Sequence, residues 1–154
     1  MTMIVRSSLI VFLLIVWTSG IGLPRPTGPF DEFRDVNCES EMARLDNFAV
    51  ALQNEPTARG AIIFFAGKMK DDRLPKRGEA EARVERLRSY LTKRRGIPAA
   101  SIVVMNGGYD NNYRVQLWVV PAAEGLPKRE ASSGVMDMQY RPGKVNPRDY
   151  RCGI

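Results

Sequence analysis

The sequence predicts an α+β fold, a two-layer sandwich in which two helices pack on one face of a small mixed sheet. Three observations lead to this prediction: a short apolar run, a long amphipathic segment after it, and two further strand-like segments separated by a turn. A strand, a right-handed helical crossover and a parallel strand are the expected unit over residues 60–105. The last strand is expected to pair antiparallel within the same sheet.

Two segments have helical periodicity. Residues 37–54 offer Asn37 or Ser40 as an N-cap and carry one apolar stripe. Residues 77–95 form the clearest helix, because their apolar residues recur on one face and Gly96 follows as a C′ residue. The stripes contain Met42, Leu45, Phe48, Ala49 and Leu52 in the first helix, and Ala80, Val84, Leu87 and Leu91 in the second.

Three segments are predicted as strands. Residues 60–67 (GAIIFFAG) are continuously apolar, which is typical of a strand that is covered on both faces. Residues 101–105 (SIVVM) form the next strand, and residues 106–112 (NGGYDNN) predict a turn because Gly and Asn accommodate positive φ. Residues 113–121 form the last strand, with Val115, Leu117 and Val119 facing the core.

The N-terminus predicts an export signal. Its first six residues carry one positive charge, residues 9–17 (LIVFLLIVW) are uninterrupted apolar, and residues 18–22 are mostly small. This order is typical of a signal peptide over residues 1–22, cleaved after Gly20 or Gly22. A retained anchor is the alternative, although a spanning helix needs about 20 apolar residues. We therefore expect an exported protein of the periplasm or cell envelope.

Two segments flank the predicted domain at residues 37–121. Residues 23–36 are a linker or arm that Phe30 and Phe33 could attach to the domain, and residues 122–154 are an extended tail rich in proline and charge. Cys38 and Cys152 are the only cysteines, one near each end of the mature chain. An oxidising compartment favours a disulfide between them, and two unrelated thiols are the alternative.

Composition limits the chemistry. The chain has no histidine, which excludes a His-based triad and a His-containing metal site. We predict no metal and no cofactor, and we do not expect an enzyme. The net charge of +6 is compatible with anionic partners or with simple solubility, but nucleic acid is not expected because acidic and basic residues are intermixed. The acidic residues that a carboxylate-dependent hydrolase could use are Asp71, Asp72, Glu79 and Glu81.

Three pieces of the chain carry a family resemblance. They are residues 43–67 (ARLDNFAVALQNEPTARGAIIFFAG), residues 77–108, and residues 115–121 (VQLWVVP). Within the second piece, AEARVERLRSYL followed by RGI and SIVV matches a rhythm of the type L-S-x-x-R-A-x-x-V-x-x-Y-L. These pieces resemble the C-terminal, peptidoglycan-associating domain of the outer-membrane protein A (OmpA) family. The resemblance implies an OmpA-C-like sandwich over about half of the chain.

The resemblance also implies a ligand site. In that family an Asp after the second strand pairs with the ammonium of diaminopimelate, and an Arg on the next helix binds the carboxylate in a bidentate fork. The Arg position falls on Arg83, and the Asp position falls on or near Lys68, which reverses the charge. Asp71 and Asp72 follow closely and are candidate substitutes. The alternatives are an Arg83 that pairs with Glu79 on the helix surface, and loop aspartates that are simply solvated.

The sequence therefore predicts a non-catalytic envelope module. It would associate with peptidoglycan or with another envelope protein through a degenerate site. A structural or protein-interaction domain without a small-ligand site is the alternative, and a carboxylate-dependent envelope hydrolase is a further one. Trp118 could stack on a sugar or a protein, or could lie beneath the tail or a helix.

Overall fold

The structure is a computed structural model that describes residues 28–128, 138–150 and 152. The predicted signal peptide at residues 1–22 lies outside the described residues, as do parts of the predicted arm and tail. Within the described ranges, neither helix combines the length and the apolar character that crossing a membrane requires.

The described chain forms one sheet of four strands and two long helices. Their order is β1 (Asp31–Phe33), α1 (Cys38–Asn54), β2 (Arg59–Lys68), α2 (Glu79–Lys93), β3 (Ile102–Asn112) and β4 (Arg114–Val120). Short 3₁₀ turns lie at Lys70–Asp72, Ala99–Ser101 and Pro147–Tyr150. The predicted α+β class, with two helices and a mixed sheet, is confirmed.

The strand order is β1-β4-β2-β3. β2 and β3 run parallel, with Gly60 opposite Ile102, whereas β4 runs antiparallel to both β1 and β2. The predicted parallel pair and the antiparallel last strand are therefore confirmed. Every residue of β2 from Gly60 to Gly67 is buried, as expected for a continuously apolar central strand.

Both helices cover the same face of the sheet. The side chain of Asn37 caps α1 by accepting a hydrogen bond of 2.8 Å from the Ser40 N–H. The predicted apolar stripes then meet alternate residues of the strands, because every second side chain of a strand points to the same face. The core residues on the strands include Phe33, Ile62, Phe64, Ala66, Ile102, Val115 and Leu117.

The predicted turn over residues 106–112 is wrong, because β3 continues through it to Asn112. Phe64 lies opposite Asn106 and Phe65 lies opposite Gly108, so Gly107 is an extra residue that forms a bulge. A Cβ atom at Gly107 would lie 2.4 Å from the Phe65 ring. Glycine is common in turns, but it also permits a bulge and a close approach of the backbone to a side chain. The residue types alone do not distinguish these uses.

The chain changes sides of β2 between β3 and β4. β3 borders β2 on one side and β4 borders it on the other, so residues 112–114 cross the end of β2. The Tyr113 N–H donates to the Lys68 carbonyl at 2.8 Å during this crossing. Gly67 makes the crossing possible, since a Cβ atom there would lie 2.1 Å from the Asn112 carbonyl carbon.

The ends of the described chain pack against the domain. Asp31–Phe33 lies in the range predicted as an arm and forms the edge strand beside β4. Residues 138–150 and 152, called here the C-terminal segment, lie against α2 and the loop before it. The Arg141 N–H donates to the Pro75 carbonyl, and Lys76 Nζ donates to the Lys144 carbonyl, both at 3.0 Å. The predicted disulfide between Cys38 and Cys152 is present.

Candidate functional site

Arg83, the residue to which the resemblance points, lies in the second turn of α2 and pairs with Asp35. Its Nη1 donates to Asp35 Oδ1 at 2.7 Å, and the two side chains are only 12% and 15% exposed. Asp35 lies in the loop between β1 and α1, and its other oxygen accepts from the Lys70 N–H at 2.9 Å. Asp35 thereby joins α2 to the loop that follows β2. The alternative partner, Glu79, is farther away, with 3.7 Å between Arg83 Nε and Glu79 Oε1.

Two aromatic rings enclose the same guanidinium. Arg83 Cζ lies 5.5 Å from the centre of the Tyr113 ring and 5.3 Å from the centre of the Tyr150 ring, within the range of cation–π attraction. The Tyr113 hydroxyl is buried and has no hydrogen-bond partner among the described residues. Burial raises the pKa of Tyr113 well above its usual value, so the phenol stays neutral.

Glu79, the first residue of α2, is fully buried. Its carboxylate accepts from Arg73 Nη2 at 2.9 Å and from the Lys76 N–H at 2.8 Å. Arg141 Nη2 of the C-terminal segment lies 3.7 Å from Glu79 Oε2, the same oxygen that accepts from the Lys76 N–H. Burial raises the pKa of Glu79, but these donors and the positive charges of Arg73 and Arg83 outweigh burial and lower it overall. Glu79 is therefore ionised and joins the loop between β2 and α2 to the C-terminal segment.

A second buried pair lies between the two helices. Arg86 of α2 donates to Glu41 in the first turn of α1. The other terminal nitrogen of Arg86 donates to the Tyr150 carbonyl and lies 3.0 Å from Cys152 Sγ. Burial raises the pKa of Glu41, although the charge of Arg86 opposes this shift. Arg83 and Arg86 are thus both covered by the C-terminal segment.

A cavity of about 310 Å³ lies beside Asp35, where β2 ends. We call it the β2-end cavity. Lys68 and Asp72, which both line it, lie 3.8 Å apart and are well exposed. Asp71 and Asp72 have φ values of +59° and +54°, a left-handed conformation that Asp tolerates better than most residues. The charged residues that line the cavity are Arg34, Asp35, Lys68, Lys70, Asp71 and Asp72.

The structure thus brings together three of the four predicted ligand-site residues. Lys68, Asp71 and Asp72 line the cavity, whereas Arg83 lies behind Asp35 and contributes through it. Sequence reasoning missed Asp35, because it lies in a Pro-rich, charged arm without periodicity. It also missed the enclosure of Arg83 by Tyr150, since nothing in the tail indicates where it packs.

Trp118 lies half-buried on the face of the sheet away from the helices. Its Nε1 donates to Gln116 Oε1 at 3.3 Å. It lines a second, mainly apolar cavity of about 300 Å³ that also contacts Phe30 and Pro127. This cavity lies at the other end of β4 from the β2-end cavity, so Trp118 and the charged site do not form one surface.

The arrangement at the β2-end cavity suits a ligand with charges of both signs. Ammonium groups of a ligand could approach Asp71 and Asp72, and carboxylates could approach Lys68 and Arg34. Among the described residues, no group of His, Cys, Asp and Glu side chains is placed to hold a metal ion. No family model, curated protein or solved structure matches this chain.

Proposed function

We propose that this protein is a non-catalytic, exported, OmpA-like module of the cell envelope that binds the peptide part of peptidoglycan through the β2-end cavity. One observation carries this proposal: six charged residues of both signs line a single cavity at the end of β2. The resemblance to the OmpA family implies a ligand site at this end of the strand. A stem peptide with free ammonium and carboxylate groups matches this set of charges.

The charged residues of the β2-end cavity would pair with the ligand differently than the site residues of the OmpA family do. The resemblance puts the family's Asp position on or near Lys68, so this position would attract a carboxylate rather than an ammonium. Asp71 and Asp72 are exposed and are the groups best placed to receive the ammonium. Arg83 acts as a positioning residue, because it fixes Asp35 and does not itself line the cavity. The proposed site is therefore a modified version of the family site.

Export is part of the same proposal. The apolar N-terminal run predicts passage through a membrane, and a disulfide between Cys38 and Cys152 is typical of an oxidising compartment. Both features support a location in the periplasm or cell envelope.

A second candidate function is a protein-interaction domain without a small-ligand site. The enclosure of Arg83 favours it, because Asp35 and two tyrosine rings already use the guanidinium that would bind a ligand carboxylate. In that case the cavity would be only a gap between packed segments without a ligand, and another envelope protein would bind to a different surface.

Sedimentation of the mature chain with purified peptidoglycan sacculi tests the wall-binding function. We expect the chain to sediment with intact sacculi at low salt, and soluble peptides released by an amidase should compete with this sedimentation, whereas the soluble glycan strands should not. The double change Asp71→Asn and Asp72→Asn should abolish sedimentation, because it removes the proposed ammonium partners. The double change Glu39→Gln and Glu55→Gln, which removes two exposed carboxylates that do not line the cavity, is the matched control and should sediment like the unchanged chain.

Two outcomes would contradict the wall-binding function and favour one of the alternatives. Absence of sedimentation at low salt would remove the wall-binding function and leave the protein-interaction domain. Release of soluble muropeptides during the incubation would instead indicate the carboxylate-dependent hydrolase.

A further inference from the structure

The two sulfurs of the disulfide have different surroundings. Cys38 is the first residue of α1 and is exposed. Cys152 is only 7% exposed, and its Sγ lies 3.0 Å from Arg86 Nη1. The exposure of the Cys38 residue favours attack at its sulfur, whereas the Cys152 sulfur lies against the positive charge of Arg86.

We propose that the Cys38–Cys152 disulfide is an exchange site for a dithiol reductant, and that its opening releases the C-terminal segment and uncovers Arg83 and Arg86. This proposal goes beyond the envelope function. The exchange does not depend on that function, whereas any effect of the exchange on wall binding rests on it.

The exchange follows from the positions of the charges. A thiolate of the reductant attacks Cys38 Sγ, the disulfide bond breaks, and the electron pair passes to Cys152 Sγ. The guanidinium of Arg86 stabilises that thiolate, and a better-stabilised thiolate leaves faster. The second thiol of the reductant then attacks the mixed disulfide and expels Cys38 as a thiolate at the N-terminus of α1. The reductant leaves as a disulfide, and its two protons pass to Cys38 and Cys152.

Release of the segment follows from how it is held. The described residues between 139 and 150 are exposed or half-buried, and only Met138 and Cys152 are buried. The core cluster runs from Phe33 to Leu117 and contains no residue of the segment. Apart from the disulfide, polar contacts attach the segment, such as those from Arg86 to the Tyr150 carbonyl and from Lys76 to the Lys144 carbonyl. The Tyr150 ring beside Arg83, the pair of Arg141 with Glu79 and the buried Met138 side chain add to them. None of these segment residues belongs to the core cluster, so we expect the reduced domain to keep its core and lose the segment.

The rate of reduction by dithiothreitol tests the role of Arg86. Arg86→Gln should slow the reduction about threefold to tenfold, because the leaving thiolate loses its positive neighbour. Arg86→Lys keeps the charge and should stay within about twofold of the unchanged chain. Arg88→Gln, on the exposed side of α2, is the matched control and should have no effect. An Arg86→Gln chain that is reduced as fast as the unchanged chain would overturn this role.

Trapping the mixed disulfide tests which of the two sulfurs is attacked. This test uses the unchanged chain, so it does not depend on how the variants fold. Glutathione followed by an acid quench should give a mixed disulfide on Cys38. A mixed disulfide found mainly on Cys152 would overturn the proposal.

Labelling with phenylglyoxal, an arginine reagent, tests the release. Reduction should make Arg83 and Arg86 react at least about fivefold faster, while Arg88, already exposed, reacts equally in both states. Unchanged labelling would show that the segment stays in place without the disulfide. Faster amide exchange throughout β2 would show general unfolding instead, and either result overturns the proposal. If reduction makes Arg83 and Arg86 react faster but neither the oxidised nor the reduced chain binds sacculi, the exchange site is supported and only the wall-binding function is contradicted.

Discussion

Glu79 shows how a single carboxylate can stay charged without access to water. Burial disfavours the ionised form, and a carboxylate with no exposed surface would ordinarily be protonated well above its usual pKa. Here Arg73, the Lys76 N–H and Arg83 surround it with donors and positive charge, and its pKa is lowered. Glu41 has mainly one partner, Arg86, and its pKa is raised because burial prevails. The balance between burial and the surrounding donors thus decides which of the two carboxylates is stabilised as an ion.

Replacing Glu79 by Gln should lower the free energy of unfolding at pH 7 by about 2–4 kcal/mol, because three arginines lose a buried counter-charge. The effect should also depend on pH. A lowered pKa in the folded state means that the stabilisation is full above the unfolded pKa and is lost as pH falls through the folded pKa. Urea denaturation between pH 3 and pH 7 should therefore show a smaller acid loss for Glu79→Gln than for the unchanged chain.

Glu85→Gln is the control for this change. Its carboxylate pairs with Arg88 on the exposed side of α2, so the expected loss is below about 1 kcal/mol. An equal loss for both variants would contradict the role given to the buried site.

At the scale of elements, the sheet depends on two close approaches of backbone to neighbouring groups. Gly107 provides the extra residue of β3 against the Phe65 ring, and Gly67 lets the chain cross the end of β2. Both glycines lie at irregular points in the register between β2 and β3. The crossing delivers Tyr113 to the core and β4 to the far side of β2, so it determines the strand order of the sheet.

Replacing Gly67 by Ala should therefore lower the free energy of unfolding by about 3 kcal/mol or more, because the added Cβ meets backbone atoms that cannot move aside easily. Thermal denaturation followed by circular dichroism measures this loss. Gly125→Ala is the matched control, since a Cβ atom there meets nothing within 4 Å and its effect should stay within about 0.5 kcal/mol. A Gly67→Ala chain as stable as the control would mean that the crossing lies elsewhere.

At the scale of the whole molecule, the disulfide joins the start of α1 to the end of the described chain. The two cysteines are 114 residues apart in sequence, so the bond closes a loop that contains nearly the whole domain. In the chain-entropy account, the constraint acts mainly on the unfolded state and grows with loop length.

Reduction should consequently lower the free energy of unfolding by about 3–4 kcal/mol. Guanidinium denaturation with and without a reductant measures the difference. The double variant Cys38→Ala and Cys152→Ala should behave like the reduced chain, with or without reductant. A difference below about 1 kcal/mol would mean that the unfolded chain is already compact when reduced.

The sequence predicted the features that depend on local periodicity. The stripes of α1 and α2, the apolar run of β2 and the alternation in β4 each predict an element and its buried face. The prediction of a turn over residues 106–112 was wrong because glycine is equally suited to a turn and to a bulge. Asp35 and Tyr150 could not be anticipated as partners of Arg83, because these contacts join distant parts of the chain whose local patterns carry no signal. Lys68, Asp71 and Asp72 were accessible to prediction only through the family resemblance.

The position of β1 has a consequence for how the chain acquires its structure. Among the strands of the described residues, β1 comes first in sequence and pairs with β4, which comes last. A polypeptide that emerges N-terminus first must therefore hold its leading strand unpaired until almost the entire sheet is available, and closing so long a loop is slow. Such an order of assembly delays completion of the sheet until nearly all of its described strands have been synthesised.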